Sequence, residues 1–350
     1  MTAVSPPRVL VVNPGSSSLK LSVLGTEGAV LANAELPGGG GAVDAAALQA
    51  FLRRPDAGFD AAGVRVVHGG PRLRAPVRAD AGVVAELDRI SDLAPLHNPP
   101  AVGALRILLR LPAAPPVVAC FDTAFHASMP EAAALYAVPW RWTSDYGARR
   151  YGFHGLSHAY ASRQAASLLG REVTGLQLIT CHLGAGASLA AVRDGVSVDT
   201  TMGFTPMEGL VMATRSGSVD PGLLLYVQRT HGVAAADAER MLDRESGLLA
   251  LSGVSGDMRE VLDASSRGVA RAVLAIDVYV HRLRRLIGAM AASLDRVDAL
   301  VFTGGVGENA ALIRERACTG WMTGVPVLVV HAREDLEIAR EVRALLGASA

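Results

Sequence analysis

Short apolar segments alternate with polar, glycine-rich turns along this chain. Val9 to Asn13 is apolar and is followed by a turn, after which apolar residues resume from Leu19 to Leu24. This pattern predicts a strand, a tight turn and a second strand. The same layout returns about 165 residues later, where Leu178 to His182 leads through a Gly/Ser turn into Leu189 to Val192. The repetition indicates two lobes of related build.

Strands and helices also alternate elsewhere in the sequence. Further strands are predicted at Val64 to Val67, Val117 to Phe121 and Ala299 to Phe302, and helices at Ala101 to Leu111, Ala159 to Leu169, Val269 to Leu294 and Asp335 to Leu346. The glycine-rich residues 36–44 are expected to form a connecting loop. Alternating strands and helices indicate an α/β fold, and 350 residues suffice for two domains.

Composition narrows the class of protein. Half of the residues are hydrophobic, and the 33 basic and 33 acidic residues balance. A neutral chain gives no reason to expect nucleic-acid or membrane binding, and no apolar run reaches the roughly 18 residues of a membrane span. The three cysteines, Cys120, Cys181 and Cys318, lack metal-ligand spacing and indicate a reducing, cytoplasmic location.

The first turn, Asn13 to Lys20, has the chemistry of a phosphate contact. Lys20 is the only lysine among the 33 basic residues, and lysine is not replaceable by arginine where a compact charge is needed. Glycine permits close approach of the backbone, and serines supply donors. An ordinary polar hairpin remains the alternative, and the spacing is not that of a Walker A loop.

Two more glycine turns follow apolar strands, at Gly184 to Ser188 and at Gly304 to Gly307. A single glycine cluster after a strand is weak evidence for any function. Three of them together predict a nucleotide that touches several strand ends.

Charged and imidazole side chains are placed near these turns. Asp122 follows a buried strand, Arg65 lies within a strand, His154 precedes a helix, and Arg215 lies in a polar loop. Each one alone could be structural, for example Asp122 as a helix cap. Together they match phosphoryl transfer, which needs cations around the transferred group and a carboxylate that organises a metal.

Ten segments, in order, resemble the acetate kinase family: VLVVNPGSSSLK, RVVHGG, LAPLHNPP, FDTAFHASMP, RYGFHGLSH, CHLGAGAS, MGFTPMEGL, ATRSGSVDPG, SGVSGDMRE and FTGGVGEN. The resemblance spans nearly the whole chain. It implies the fold of the acetate and sugar kinase, Hsp70 and actin superfamily: two duplicated actin-like (ribonuclease H-like) α/β lobes with a nucleotide cleft between them. The lobes would be residues 1–126 with 336–350, and residues 127–335.

The resemblance also assigns roles to residues. Arg65 and Arg215 would hold the substrate carboxylate and neutralise the phosphoryl group, and His154 would stabilise the transition state. Asp122 would organise the metal and the carboxylate, with His97 in support. Nucleotide and phosphate contacts are implied for Asn13, Ser16, Ser18, Lys20, His182, Gly184, Gly186, Asp257, Met258, Arg259, Gly305, Gly307 and Asn309. An acyl pocket is implied for Val67, Leu96, Phe153 and Pro206. Asn13 and Glu334 would bind Mg²⁺, with Mn²⁺ as a substitute.

The function implied by the resemblance is that of an acetate kinase, a homodimer that reversibly converts ATP and acetate into ADP and acetyl phosphate. Propionate or butyrate kinase chemistry is the nearest alternative. A non-catalytic nucleotide-binding regulator is another, because Ala185 stands where the family usually has asparagine and because two segments, between Lys20 and Arg65 and between Glu308 and Glu334, are shortened. A sugar kinase would need a different motif around its catalytic base.

Overall fold

The computed structural model describes residues 6–15, 18–37, 44–95, 97–112 and 115–347. Ser16, Leu96 and most of the glycine-rich loop lie outside these ranges. Its strands are β1 (Val9–Pro14), β2 (Ser18–Leu24), β3 (Val30–Pro37), β4 (Ala61–Val66), β5 (Val77–Arg78), β6 (Val117–Phe121), β7 (Gln177–Leu183), β8 (Ala187–Arg193), β9 (Val196–Thr200), β10 (Ala299–Thr303) and β11 (Val327–Val329).

Helices occupy most of the remaining described chain. They are α1 (Ala45–Leu52), α2 (Ala81–Arg89), α3 (Asn98–Leu109), α4 (Glu131–Ala134), α5 (Trp140–Tyr146), α6 (Gly155–Leu168), α7 (Pro221–His231), α8 (Ala235–Arg244), α9 (Gly247–Ser252), α10 (Met258–Ser266), α11 (Ala270–Ala292), α12 (Gly304–Asn309), α13 (Ala311–Cys318) and α14 (Glu334–Gly347). None of these helices is long and apolar enough to cross a membrane.

The described residues form two compact units. The first comprises those of Met1–Ala127, Phe153–Leu156 and Arg333–Ala350, and the second comprises Ser128–Gly152 and Ser157–Ala332. The boundaries expected from the sequence place residues 127, 153–156 and 333–335 in the second lobe, whereas the structure groups them with the first unit. Within the first unit, the backbone N–H of Gly155 donates to the carbonyl of Asp122 at 2.9 Å, and Leu156 packs in the core.

Each unit contains one sheet, and the two sheets have the same plan. In the first, with order β3-β2-β1-β4-β6-β5, β1 is antiparallel to β2 and parallel to β4. In the second, with order β9-β8-β7-β10-β11, β7 is antiparallel to β8 and parallel to β10. The duplicated α/β architecture expected from the sequence is therefore confirmed.

Alternation along β1 builds two cores in the first unit, because successive strand side chains point to opposite faces. Leu10 and Val12 face buried residues of α1, α2 and α3. Val9 and Val11 face the opposite side, where they pack with Ile338 and other buried residues of α14. The sheet thus lies between two helical layers, and α14 returns from the end of the chain to close one of them.

In the second unit, α11 packs against β7 and β8. Its buried residues include Ile276, Val280, Leu283 and Ile287, which recur at the three- and four-residue spacing of one helix face. The long amphipathic helix expected from the sequence is therefore present.

Gly63 of β4 allows the close approach of α14. A Cβ at this position would lie 2.5 Å from Cγ2 of Ile338 and 2.7 Å from Cγ2 of Val342. We expect Gly63→Ala to lower the free energy of unfolding by about 1–3 kcal/mol through overpacking, measured by urea denaturation followed by circular dichroism.

Gly58→Ala is the matched control in the same unit. Gly58 has an extended backbone, and a Cβ there would meet only the flexible side chain of Arg8, at 3.4 Å or more. Equal stability of the two variants would contradict the tight packing of α14 on β4.

Candidate active site

Three polar side chains meet where parallel strands of the first sheet end. Asn13 lies near the end of β1, Arg65 near the end of β4, and Asp122 directly after β6. Arg65 donates from Nε and Nη2 to Asp122 at 3.0 and 2.7 Å, and from Nη1 to Oδ1 of Asn13 at 3.0 Å. Carboxyl ends of parallel strands are the usual ligand-binding edge of α/β sheets. The guanidinium is held there in a fixed plane.

The ion pair of Arg65 with Asp122 is buried. Their side chains are 13% and 2% exposed. Burial by itself disfavours the charged guanidinium, but attraction by Asp122 and by Glu334 outweighs it and raises the pKa of Arg65. Arg65 therefore remains cationic, with the fork geometry that suits a carboxylate or a phosphoryl group.

Asn13 also contacts Glu334 at the start of α14, through a hydrogen bond of 3.3 Å from Nδ2 to Oε2. Within the described ranges, no group of three or more His, Cys, Asp or Glu side chains could by itself hold a metal ion. Mg²⁺ in phosphoryl-transfer sites is typically bound by one or two carboxylates, waters and the substrate phosphates. The oxygen donors of Asn13 and Glu334 are of the kind that such an ion takes.

The first turn lies beside this cluster. The register of β1 with β2 pairs Asn13 with Lys20, and directly opposed residues share one face of a sheet. The N–H of Gly15 donates to the carbonyl of Ser18 at 2.8 Å, and Oγ of Ser18 donates to Glu35 at 2.6 Å. Lys20 is thus an exposed cation on the face that carries Asn13, while the Ser18 hydroxyl is bonded to a carboxylate.

The backbone at His154 is fixed by hydrogen bonds that its two neighbours in the chain, Phe153 and Gly155, make to other residues. The carbonyl of Phe153 accepts from Nε2 of His126 at 3.0 Å, and the N–H of Gly155 donates to the carbonyl of Asp122 at 2.9 Å. His154 itself has a φ of 55°, which is uncommon for a residue with a side chain. A Cβ on Gly155 would lie 2.1 Å from the carbonyl oxygen of Asp122, so glycine is required there. Both contacts tie the His154 backbone to the strand end that bears Asp122.

The expected acyl-pocket residues Val67 and Phe153 are both buried. The ring of Phe153 packs edge-on against His68 at 5.3 Å between ring centroids. The backbone of His68 exchanges two hydrogen bonds with the Asn98 side chain, at 3.1 and 3.0 Å. His97 immediately precedes Asn98, at the start of α3. This places His97 and Val67 on chain segments that are bonded to one another.

Arg215, in the second unit, lies in the loop between β9 and α7. Its Nε donates to Oδ1 of Asp243 at 2.9 Å, and its Nη1 donates to the carbonyl of Pro206 at 3.3 Å. The side chain is 17% exposed. Among the described residues, these bonds use Nε and Nη1 and leave the Nη2 edge of the guanidinium for an anion.

The second unit also contains a cavity of about 870 Å³, within the usual size range of ligand pockets. Six residues expected to contact the nucleotide line it: Gly184, Asp257, Met258, Arg259, Gly305 and Asn309. Asp257 caps α10 and accepts from the backbone and the side chain of Arg259, and this hydrogen bonding lowers the pKa of Asp257.

Three other residues of the second unit were expected to contact the nucleotide, namely His182, Gly186 and Gly307, and they are close in the chain to residues that line the cavity. Gly186 closes the β7–β8 turn by accepting from the N–H of Gly184 at 2.9 Å, and Gly307 lies in α12. Nδ1 of His182 is 2.8 Å from Oγ of Ser157, so its ring is bonded to the first turns of α6.

Several residues of these sites were not anticipated from the sequence. Asp243 is 28 residues from Arg215, and no local pattern connects them. An apolar wall of the cavity is formed by Leu248, Leu262 and Tyr279. They lie in three different helices, and no local pattern connects them. His126 lies within the recognised segment FDTAFHASMP, and only its burial and its bond to Phe153 distinguish it.

The family model of the Acetokinase family matches residues 42–339. The chain belongs to the acetokinase family. The acetate kinase of Synechococcus sp. (strain JA-2-3B'a(2-13)) is 50% identical over 308 residues, which cover 81% of this chain and 76% of that protein.

Two solved structures are similar to this chain. The acetate kinase of Porphyromonas gingivalis is 36% identical with a TM-score of 0.86, covering 97% of this chain and 99% of that one. A propionate kinase from Francisella tularensis is 34% identical with a TM-score of 0.88, covering 96% and 99%. The acetate kinase family acts on small carboxylates and uses ATP or ADP with a divalent metal ion.

The buried His126 makes the stability of this protein depend on pH. Burial lowers the pKa of His126 to about 4, from 6.5. The unfolded chain therefore binds a proton near pH 6.5 that the folded chain binds only near pH 4, so stability falls as pH decreases through this interval. The loss amounts to at most about 3 kcal/mol.

We expect His126→Gln, which cannot ionise but can still donate to Phe153, to have a flatter stability profile. Urea denaturation of both proteins at about pH 7 and about pH 5 measures the difference. Parallel profiles would show that His126 is not held neutral.

Proposed function

We propose that this chain is an acetate kinase, which reversibly transfers the γ-phosphate of ATP to acetate and forms ADP and acetyl phosphate. The observation that carries the proposal is the buried Arg65 guanidinium, held by Asp122 and Asn13 beside Glu334, in a chain that is 50% identical to an acetate kinase.

The transfer is a single displacement at phosphorus. The bond from the γ-phosphorus to the ADP oxygen breaks while a bond to an acetate oxygen forms. Because acetate is already an anion, neither a general base nor a covalent enzyme intermediate is needed. Catalysis then depends on orientation and on neutralising the oxygens of the transferred group.

The roles of the side chains follow from their chemistry. Arg65 and Arg215 each have a guanidinium fixed by neighbouring oxygens, so they bind the carboxylate and the phosphoryl oxygens with little loss of side-chain entropy. His154 donates a hydrogen bond to the phosphoryl group. Asp122 orients Arg65, and His97 supports the segment behind it.

The metal proposed is Mg²⁺, with Mn²⁺ as a substitute. Asn13 and Glu334 would hold it, because their oxygens are the hard donors that these ions take. The ion supplies neutralisation of the nucleotide phosphates. Lys20 adds a positive charge on the same face of the sheet.

The nucleotide is proposed to bind in the cavity of the second unit, whose size and glycine turns suit it. Ala185 lines this cavity, and its carbonyl accepts from the N–H of Ala213 at 3.0 Å. Its methyl side chain offers the nucleotide no hydrogen bond, so the backbone of this turn must supply the polar contacts.

Acetate is favoured as the acceptor, and propionate is the second candidate because the Francisella tularensis propionate kinase is structurally similar. Val67 and Phe153 are buried and bulky, which suits a small acyl group. A single methylene separates substrates by only about 1–3 kcal/mol.

We further propose a cytoplasmic homodimer. The three cysteines are free thiols, as expected in a reducing compartment. Leu223, Leu225 and Tyr226 of α7 are exposed, and such apolar residues are typical of an interface between subunits.

A coupled assay with acetate, propionate and butyrate, each with ATP and Mg²⁺, tests the proposed reaction. We expect the highest kcat/KM with acetate. Turnover of none of the three, together with retained ATP binding, would favour a regulatory nucleotide-binding protein.

Arg215→Ala should lower kcat by about 10²-fold or more, since a cation at the transferred group is removed, with little change in Tm. Arg171→Ala is the control, because it removes an arginine from a half-exposed ion pair with Asp298 in the same unit. Near-normal turnover of Arg215→Ala would refute the role of Arg215.

A further inference from the structure

A second charged network lies in the loop that carries Pro206. The carboxylate of Glu208 accepts from the Tyr136 hydroxyl at 2.5 Å and from Nη2 of Arg150 at 2.9 Å. The guanidinium of Arg150 also lies over the Tyr136 ring, 5.6 Å from its centroid. One carboxylate thus joins residues from three separate segments of the second unit.

The network fixes the backbone that precedes Glu208. The Tyr136 oxygen accepts from the N–H of Phe204 at 2.9 Å, and Nη1 of Arg150 donates to the carbonyl of Thr201 at 3.1 Å. A Cβ at Gly203 would lie 1.8 Å from Oε2 of Glu208, so the carboxylate is packed directly on the chain. The segment from Thr201 to Glu208 therefore has few alternative conformations.

The charged groups of the network are partly buried. The side chains of Arg150 and Glu208 are 18% and 35% exposed. Burial, followed by the hydrogen bond to Glu208, raises the pKa of Tyr136. The tyrosine therefore stays protonated as the donor at neutral pH, and a charged donor and a neutral one share a single acceptor.

The segment from Thr201 to Glu208 contacts the side chain of Arg215. Pro206 lies between Phe204 and Glu208, and its carbonyl accepts from Nη1 of Arg215, while Asp243 accepts from Nε. The two acceptors bind different nitrogens on different sides of the planar group, so together they define its orientation. With Asp243 alone, the guanidinium could rotate about the Nε–H···O bond.

We propose that Glu208 is a positioning residue for Arg215. By bridging Tyr136 and Arg150 it holds the Pro206 carbonyl in place, and the carbonyl orients the Nη2 edge of Arg215 toward the anion. This inference rests on the proposed acetate kinase reaction.

Glu208→Gln removes the charge and keeps the shape of the side chain. We expect kcat/KM for acetate to fall about 10- to 100-fold, as for a displaced catalytic group, while KM for ATP changes less than about threefold. Assays run well below the Tm of every variant exclude loss through unfolding.

Asp298→Asn is the matched control. Asp298 is also a partly buried carboxylate of the second unit, and it accepts from the N–H of Gln177 at 2.7 Å and from Nε of Arg296 at 3.1 Å. It contacts neither Arg215 nor Pro206. We expect Asp298→Asn to lower the Tm about as much as Glu208→Gln does but to leave kcat/KM for acetate unchanged. This result separates an effect on stability from an effect on positioning.

The decisive experiment introduces Glu208→Gln into a protein that already carries Arg215→Lys. Lysine keeps the charge but cannot bridge Asp243 and the Pro206 carbonyl. If Glu208 acts through Arg215, adding Glu208→Gln to Arg215→Lys lowers kcat/KM for acetate by less than about a further threefold. The same loss in both backgrounds, or wild-type kcat/KM in Glu208→Gln, would overturn the proposal.

If Glu208→Gln does not fold, Tyr136→Phe takes its place, because that variant loses only one hydroxyl of the network. A loss of kcat/KM that largely disappears in the Arg215→Lys background is again expected. The same loss in both backgrounds, or wild-type kcat/KM in Tyr136→Phe, would again overturn the proposal. Failure of the proposed function is seen separately, as absence of acetate turnover in the wild-type protein.

Discussion

The ion pair of Arg65 and Asp122 removes two charges from water at the edge of the first sheet, a loss of hydration that only close geometry can offset. That geometry comes from the parallel arrangement of β1, β4 and β6, which brings Asn13, Arg65 and Asp122 to one edge. Glu334, at the start of α14, accepts a hydrogen bond from Asn13 of this cluster. The backbone next to His154 is also attached to the cluster, because the N–H of Gly155 donates to the carbonyl of Asp122. The strand ends of the first unit are thus organised around one buried cation.

The two units use the same sheet plan for different chemistry. At the end of β1 the first sheet carries the amide of Asn13, beside the ion pair of Arg65 and Asp122. At the end of β7 the second sheet presents the Gly184 turn, which lines a large cavity. The difference lies in side chains at equivalent strand ends, since the topology is shared. One sheet plan can therefore carry two different kinds of site.

Much of the architecture was predictable from the sequence because apolar strands and glycine turns repeat locally. The strands β1, β2, β4, β6, β7, β8 and β10, the long helix α11 and the family agree with the predictions, whereas β3, β5, β9 and β11 were not predicted. The start of α6 at Gly155 and the contacts of residues 153–156 with the first unit were not foreseen, because a hydrogen bond to Asp122 and the packing of Leu156 decide them. Asp243 and Glu208 were missed for the same reason, since their partners are distant in the chain.

We propose that the Arg65 cluster carries phosphoryl transfer, whereas the cavity of the second unit binds the nucleotide. Arg65→Lys tests it most directly, because lysine keeps the charge beside Asp122 but cannot also reach Asn13 with a second donor of the same fork. Calorimetric titration with ADP should give a Kd within about threefold of the wild type, while acetyl phosphate formation followed by ³¹P NMR falls about 100-fold. A parallel loss of ADP affinity, or transfer at the wild-type rate, would contradict this division.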